Sequence, residues 1–538
     1  MDKTKYDLTN PQKSIWLTEK TYPKCPIGNI GGSIIIEELV NFLLLEKAVN
    51  ILVQKNDSLR FKFIEEFGRV KQYISKYIPF SPEFIELSSF DEIQKLETQM
   101  ISSPFNLLDS FLFDFKLFKL PNGHGGCTIV VHHLINDAWT TGLIVNEIIS
   151  IYNSLIKKET LEDLEFPSYS EYIKNEIEYL SSEKFPKDKI FWEELFSTIP
   201  ELATIPSVTY SPSNVIEYKS KRNQFVISKD ILNKVNIFCK DSKTSVFNFF
   251  MALFALYISR ISGLSDFVIG TPVLNRSNFK EKNTLGMFVS TVPFRISLDD
   301  CMDFTAFVSG ISKDFSTIFR HQKYPYQNIL EHIRETDPSV PNIYDILISY
   351  QNIRSTKQTS EISYSSRWVS NECLSDSLQI HIYDMDDTGD FNIAYDYLAA
   401  KYSSQDIDNL HSRIMSIIDQ ILNDPNILLK NIEIVTSSEK NFLVNTFNET
   451  FLEYDKSKTV VDLFEERVKL SPHKVALVFE DSFLTYKELN EKANSLAHHL
   501  LDSGVSSGDI IGILVNRSLE MIIRHSCYYK VRMLLFAN

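Results

Sequence analysis

Between Asn41 and Gln54 the apolar residues Phe42, Leu45, Ala48, Val49 and Val53 recur at helical spacing and predict an amphipathic helix. Phe111, Phe113, Phe115 and Leu117 recur every second residue, the mark of a strand with one buried face. The β-branched run Gly126–Val131 follows a Pro-Asn-Gly turn and reads as the neighbouring strand. Helices are predicted over Leu143–Leu155, Thr244–Ile261 and Ser404–Leu422, and strands over Phe267–Pro272 and Phe288–Arg295. This alternation predicts an α/β protein of two mixed lobes, roughly 180 and 260 residues long. The longest apolar run, Val246–Ile258, contains Asn248. It is shorter than the ~20 residues that span a bilayer and reads as a buried core helix, so no membrane span is expected. The polar stretch Asn448–Thr459 interrupts the pattern, and a new α/β segment restarts at Val460, which places a domain boundary between them.

Composition narrows the class. With 43% hydrophobic and 23% charged residues, the 538-residue chain is neither a disordered tail nor a collagen-like or disulfide-stapled protein. Its 70 acidic residues against 55 basic ones give −15, a field that disfavours nucleic acid and anionic lipid as partners. The 16 glycines are too few for flexible linkers. Cys25, Cys127, Cys239, Cys301, Cys373 and Cys527 are scattered without a CxxC pair, so neither a zinc site nor a disulfide framework is expected. Buried thiols in a reducing compartment are the simpler reading. The polar start Met1–Asp7 lacks an apolar signal core, which predicts a cytoplasmic protein.

The sharpest local feature is Val131-His132-His133-Leu134-Ile135-Asn136-Asp137-Ala138-Trp139. Adjacent side chains on a strand point to opposite faces, so at most one of the two imidazoles faces a given cavity. Three readings compete. A metal site needs converging ligands, and these diverge. A structural pair would satisfy both rings in the core. A proton-handling histidine fits an imidazole that titrates near neutrality and accepts a proton from an attacking amine or hydroxyl. No serine or cysteine sits in a nucleophile-elbow context, which favours direct transfer between two bound substrates over a covalent acyl-enzyme.

His132-His133-x-x-x-Asp137 resembles the signature of nonribosomal peptide synthetase condensation domains, relatives of chloramphenicol acetyltransferase. Six further stretches resemble that family's motifs in order: Leu8–Trp16, Asn56–Phe61, Tyr169–Tyr172, Leu285–Arg295, His321–Tyr326 and Tyr344–Asn352. The set covers residues ~6 to ~440. The resemblance implies two chloramphenicol-acetyltransferase-like lobes in a V around a central tunnel, residues 1–175 and 176–447. A donor acyl thioester enters from one side. An aminoacyl thioester on the phosphopantetheine arm of a peptidyl carrier protein enters from the other, and the acceptor amine attacks the donor carbonyl. No cofactor is expected to be bound by the chain itself, which is expected to act as a monomer.

By the same resemblance His133 is the catalytic residue, orienting or deprotonating the amine or steadying the tetrahedral intermediate. His132 braces the core, and Asp137 pairs with Arg276 of the second lobe. Arg60 braces the fold, while Trp139, Ser290 and Gln351 line the tunnel or belong to its motifs. The sequence departs from the family at one position. The family carries glycine after the aspartate and this chain carries Ala138, which costs about 1 kcal/mol or more if the backbone there has positive φ and little if it does not.

Only seven residues precede Leu8, which resembles a starter condensation domain, whose donor is a fatty or 3-hydroxy acyl group from acyl-coenzyme A or an acyl carrier protein. Gly286–Pro293 and Arg320–Tyr326 also resemble starter domains of surfactin-type lipopeptide synthetases. A peptidyl or aminoacyl donor delivered in trans stays open, as do a non-catalytic carrier-docking module and an epimerase of the same fold. Leu484–Asn490 resembles the first core motif of an adenylation domain, so residues 460–523 are expected to be the truncated, inactive start of one. Back-translated and read one base later, Arg524–Lys530 can yield an apolar string close to that family's continuation. Residues 524–538 are therefore expected to be a frameshifted tail without selected structure.

Overall fold

The computed structural model describes residues 4–159, 166–207, 218–351, 362–384, 391–531 and the backbone of 534–537. Asn352, the end of the last condensation-type motif, and Arg532, Met533 and Asn538 of the tail lie outside them. Met1–Glu439 and Lys440–Asn538 form two compact units.

In the larger unit the first sheet is ordered Tyr364–Val369, Asn29–Ile36, Gly125–His132, Phe113–Lys119, Glu83–Glu86. Phe113–Lys119 pairs antiparallel with Gly125–His132, as the alternation and the turn between them require. Helices Phe42–Lys55 and Ala138–Lys157 pack together over one face, burying Leu45, Val49 and Leu52 of the first and Ile144, Ile148 and Ile151 of the second. Asn41 starts the first helix by accepting the Leu44 N–H on its side chain.

The second sheet is ordered Ser290–Ser297, Asp266–Val273, Ile346–Gln351, Leu378–Tyr383, Phe391–Leu398, Ser220–Ile227. Its core is organised by helix Val246–Ser262, buried without a break from Asn248 to Ser259. That burial explains the long apolar run, and among the described residues no single helix is long and apolar enough to cross a membrane. Beyond the ladder bonds, a polar row ties four neighbouring strands. The Ser349 hydroxyl meets His381 Nδ1 at 2.7 Å, His381 Nε2 meets Asp396 at 3.2 Å, and Arg222 grips Asp396 with two bonds of 2.6 Å.

One strand departs from a simple division into consecutive lobes. Tyr364–Val369 leaves the second sheet's neighbourhood and pairs antiparallel with Asn29–Ile36 of the first, from Tyr364 opposite Ile36 to Val369 opposite Gly31. It covers an edge that would otherwise present unpaired N–H and C=O groups. Arg367 on this strand bonds the buried carboxylate of Glu97, which fixes its register.

The smaller unit carries helices Val460–Leu470, Tyr486–Asp502 and Leu519–Val531, a hairpin of Val475–Phe479 with Ser482–Thr485, and a parallel pair Ile510–Ile513 with Leu534–Ala537. Thr485 and Glu488 cap the second helix reciprocally, so Leu484–Asn490 is a strand-to-helix turn. The third helix continues to Val531, into the stretch 524–538 expected from the sequence to be a tail without selected structure. Cys527, Tyr528 and Val531 turn onto the small core that contains Ala493 and Ala497, giving that last stretch a buried face.

Candidate active site

The histidine strand is the central strand of the first sheet, and its two rings separate as strand geometry requires. His132 is buried. Its Nδ1 accepts the Leu134 N–H at 3.1 Å and its Nε2 lies 3.1 Å from a Glu19 carboxylate oxygen, with Phe105 edge-on. A side chain on Gly28 would collide with this ring, because an added Cβ would stand 2.4 Å from Nε2. His132 is therefore locked from all sides.

His133 is half-buried and differently employed. Its backbone N–H donates to Gly28 O at 2.7 Å, and its Nδ1 lies 2.9 Å from the Asn136 carbonyl. A carbonyl only accepts, so Nδ1 carries the proton and Nε2 keeps its lone pair. No hydrogen bond to Nε2 is found among the described residues. Burial lowers the imidazole's pKa below its ordinary 6.5, and His132 adds to this, outweighing Asp137, which favours the charged form. The result is a neutral imidazole with an open basic nitrogen.

Asp137 begins helix Ala138–Lys157 by accepting the Thr140 N–H at 2.7 Å. Both its oxygens also meet Arg276 Nη2 at 3.1 Å, and it accepts the N–H groups of Phe288 and Val289 at 3.0 and 3.2 Å. Burial alone would raise this carboxyl, but Arg276 and the Thr140 and Phe288 amides hold it below the usual carboxylate range. Arg276 also donates to Glu281 O, Thr284 O, Thr140 Oγ1 and Gly286 O, while its Nε is buried and unbonded, and its guanidinium carbon lies 3.9 Å from the Phe288 ring centre. Trp139 Nε1 donates to Lys282 O at 2.7 Å. The first turn of one helix thus fastens to the segment 276–289 of the second lobe. Gly286 is needed in that segment, since its φ is +148° and a Cβ would stand 2.2 Å from the Tyr169 ring.

Ala138 is the first helical residue, exposed and without positive φ, so alanine is unstrained where the family carries glycine. Ser290 sits just past the Asp137-bound amides with its Oγ buried and unbonded. Asn136 is similar: its amide donates to Thr141 while its Oδ1 is buried and unbonded. Arg60 Nη1 donates to Ser75 O, closing the base of the hairpin Phe61–Ile74. Gln351 ends a strand of the second sheet, two residues from Ser349 on the same face. The structure thus brings His132, His133, Asp137, Trp139, Arg276 and Ser290 together at the lobe junction through shared bonds and adjacent residues, and gives no bond joining Arg60 or Gln351 to them. Sequence reasoning missed Thr140 and Glu19. Thr140 had a signal, standing three residues after a helix-capping aspartate, and Glu19 had none. Among the described residues no group of three or more His, Cys, Asp or Glu side chains is placed to hold a metal.

Two sheet-and-helix lobes fastened at a buried aspartate–arginine pair, with an unbonded histidine nitrogen beside it, have the architecture of chloramphenicol-acetyltransferase-like acyltransferases. Residues 2–444 match the condensation domain family, and the chain belongs to that family, whose members are amide-forming acyltransferases working with phosphopantetheine-carrying partners. Residues 464–530 match the AMP-binding enzyme family. The chain is 32% identical over 531 residues to surfactin synthase subunit 1 of Bacillus subtilis (strain 168), and 30% identical over 526 residues to a plipastatin synthase of the same organism. Both matches cover 97% of this chain and only 15% and 20% of those much longer proteins. In fold it is similar to a four-domain nonribosomal peptide synthetase bound to AMP and glycine, with TM-score 0.82, 16% identity, and 99% of this chain and 41% of that one covered. It is also similar to the starter condensation domain of rhizomide synthetase in complex with C8-CoA, with TM-score 0.70, 20% identity, and coverage of 80% and 98%.

Proposed function

We propose that the larger unit joins a donor acyl thioester to the amine of an aminoacyl thioester held on a carrier's phosphopantetheine arm, with His133 as its catalytic residue. The acceptor nitrogen attacks the thioester carbonyl, the C–N bond forms, the C–S bond breaks, and the thiol leaves. The amine loses one proton in the process and the departing thiolate gains one. The observation that carries this reading is the Asn136 carbonyl on His133 Nδ1, which leaves a neutral Nε2 to take or orient that proton. The unbonded Ser290 hydroxyl is the candidate donor to the oxyanion or to the substrate amide.

The donor is a fatty or 3-hydroxy acyl group. Supporting this are the two lipopeptide synthetases among the relatives and the C8-CoA held by the similar rhizomide starter domain. Offering octanoyl-CoA and an aminoacyl-carrier donor in parallel, with the same loaded acceptor carrier, separates this reading from a peptidyl or aminoacyl donor. Amide product from the acyl donor alone is expected, and product from the aminoacyl donor alone overturns the starter assignment.

His133→Ala is expected to lower amide formation by ~10²–10⁴-fold with circular dichroism unchanged. Because the working form is neutral, wild-type kcat/KM should fall on acidification with a midpoint below 6.5, and the residual activity of the variant should lack that limb. Undiminished turnover by His133→Ala removes the histidine from the mechanism.

A further inference from the structure

We propose that Cys25 and Cys373 are a reversible modification site, a thiol pair that a peroxide oxidises to a disulfide between the two lobes. Their sulfur atoms lie 3.3 Å apart although 348 positions separate them in sequence. Both are free thiols, 5% and 9% exposed. Among the described residues no other two cysteines touch.

The surrounding backbone holds the pair in place. Cys25 lies in the loop that runs from helix Asn10–Thr21 to strand Asn29–Ile36. Cys373 lies where the chain leaves the crossover strand and bridges to Lys219 at the start of the second sheet's outer strand. Asn371 clamps the two loops together. Its amide donates to Pro26 O, Ile27 O and Asn29 O at 3.2, 2.9 and 3.1 Å, while its Oδ1 accepts the Cys373 N–H at 3.0 Å. A disulfide needs ~2.05 Å between sulfurs, so bonding asks for a movement of little more than 1 Å.

The chemistry balances with hydrogen peroxide. One thiol attacks it and becomes a sulfenic acid with loss of water. The second thiol then attacks the sulfenic sulfur and releases a second water, so two electrons and two protons pass from the thiols to the peroxide. A dithiol reductant returns them. Burial raises the pKa of both thiols, that of Cys373 to about 12, so the pair reacts more slowly than the exposed Cys301. The bond would tether the chain just beyond Val369 and hold the crossover strand on the first sheet.

The full chain carrying Cys301→Ser, which removes exposed-thiol dimers, is treated with hydrogen peroxide, blocked by alkylation and digested. Mass spectrometry is expected to find a Cys25–Cys373 linked peptide. Amide hydrogen exchange over Tyr364–Val369 should slow in the oxidised protein and recover with dithiothreitol. A linked peptide that forms only in urea, or none at all while either cysteine is oxidised to sulfinic acid, overturns the proposal. So does slowing over Tyr364–Val369 that persists in Cys25→Ser.

Discussion

The two compact units use the same kind of sequence, amphipathic helices interleaved with short strands, yet they enclose their apolar faces to different degrees. In Met1–Glu439 one helix is buried from Asn248 to Ser259, and the Asp137 and Arg276 side chains have no exposed surface at all. In Lys440–Asn538 the helix Val460–Leu470 buries no residue, and Val475, Val478 and Phe483 of the hairpin are 50%, 65% and 60% exposed. Among the described residues, its small core cluster has Ala493, Ala497, Ile513, Cys527, Tyr528 and Val531 as buried members. An amphipathic pattern specifies a face, and a second layer is needed to cover it. The ion pair whose two side chains have no exposed surface among the described residues, Asp137 with Arg276, lies where that cover is complete.

The four tryptophans, Trp16, Trp139, Trp192 and Trp368, all belong to the larger unit, so tryptophan fluorescence during denaturation reads that unit alone. Arg276→Ala should produce the largest effect. It leaves Asp137 buried without its cation and is expected to cost about 3–5 kcal/mol in urea unfolding, with amide exchange in the hairpin Val475–Thr485 unchanged. A loss under about 1 kcal/mol would show that the junction is less enclosed than its geometry states.

Glu147→Gln should act in the opposite direction. Burial pushes the Glu147 pKa up to about 8, against its ordinary 4.5. The folded chain keeps a proton that the unfolded chain releases, so wild-type stability falls as pH rises from 4.5 towards 8. Glutamine removes that fall. It also keeps the acceptor for Asn56 Nδ2 and offers an N–H to the unbonded Asn56 Oδ1. A gain of about 1–2 kcal/mol at pH 7, vanishing at pH 4.5, is expected by urea titration at both pH values.

Ala138→Gly is expected to cost about 0.4–1 kcal/mol, because the native backbone is helical there and glycine only loosens the unfolded chain. A stabilised variant would mean that the residue after Asp137 strains the turn. In the small unit, Leu514→Ser removes a side chain on a residue 87% exposed. Stability should change by no more than about 0.5 kcal/mol while light scattering falls, since the leucine contributes to a sticky surface and little to a core.

Local periodicity made much of the larger unit readable. Phe42–Lys55, Val246–Ser262 and Ser404–Asn423 fall within two residues of the helices predicted from apolar spacing. Helix Ala138–Lys157 begins earlier than predicted because Asp137 caps it, and a capping aspartate beside a histidine signature is easily assigned to chemistry alone. The crossover strand escaped notice for a different reason. Tyr-Ser-Ser-Arg-Trp-Val has only weak alternation, and its partner Asn29–Ile36 lies at the other end of the unit. Glu19 escaped likewise, since a bond to His132 across the fold leaves no trace in spacing. The motif series located Asp137 and Arg276, while the role of Ala138 depended on a backbone angle that composition and pattern do not encode.

The borrowed strand also decides where the gene can be cut. A splice between the lobes would strip Tyr364–Val369 from its partner and leave Gly31–Ile36 as a raw, apolar edge on the amino-terminal piece, open to pairing with another copy. Among the described residues, a splice near Glu439 severs no strand pairing. Exchange of whole modules by recombination should therefore tolerate junctions there and select against junctions in the middle of the larger unit.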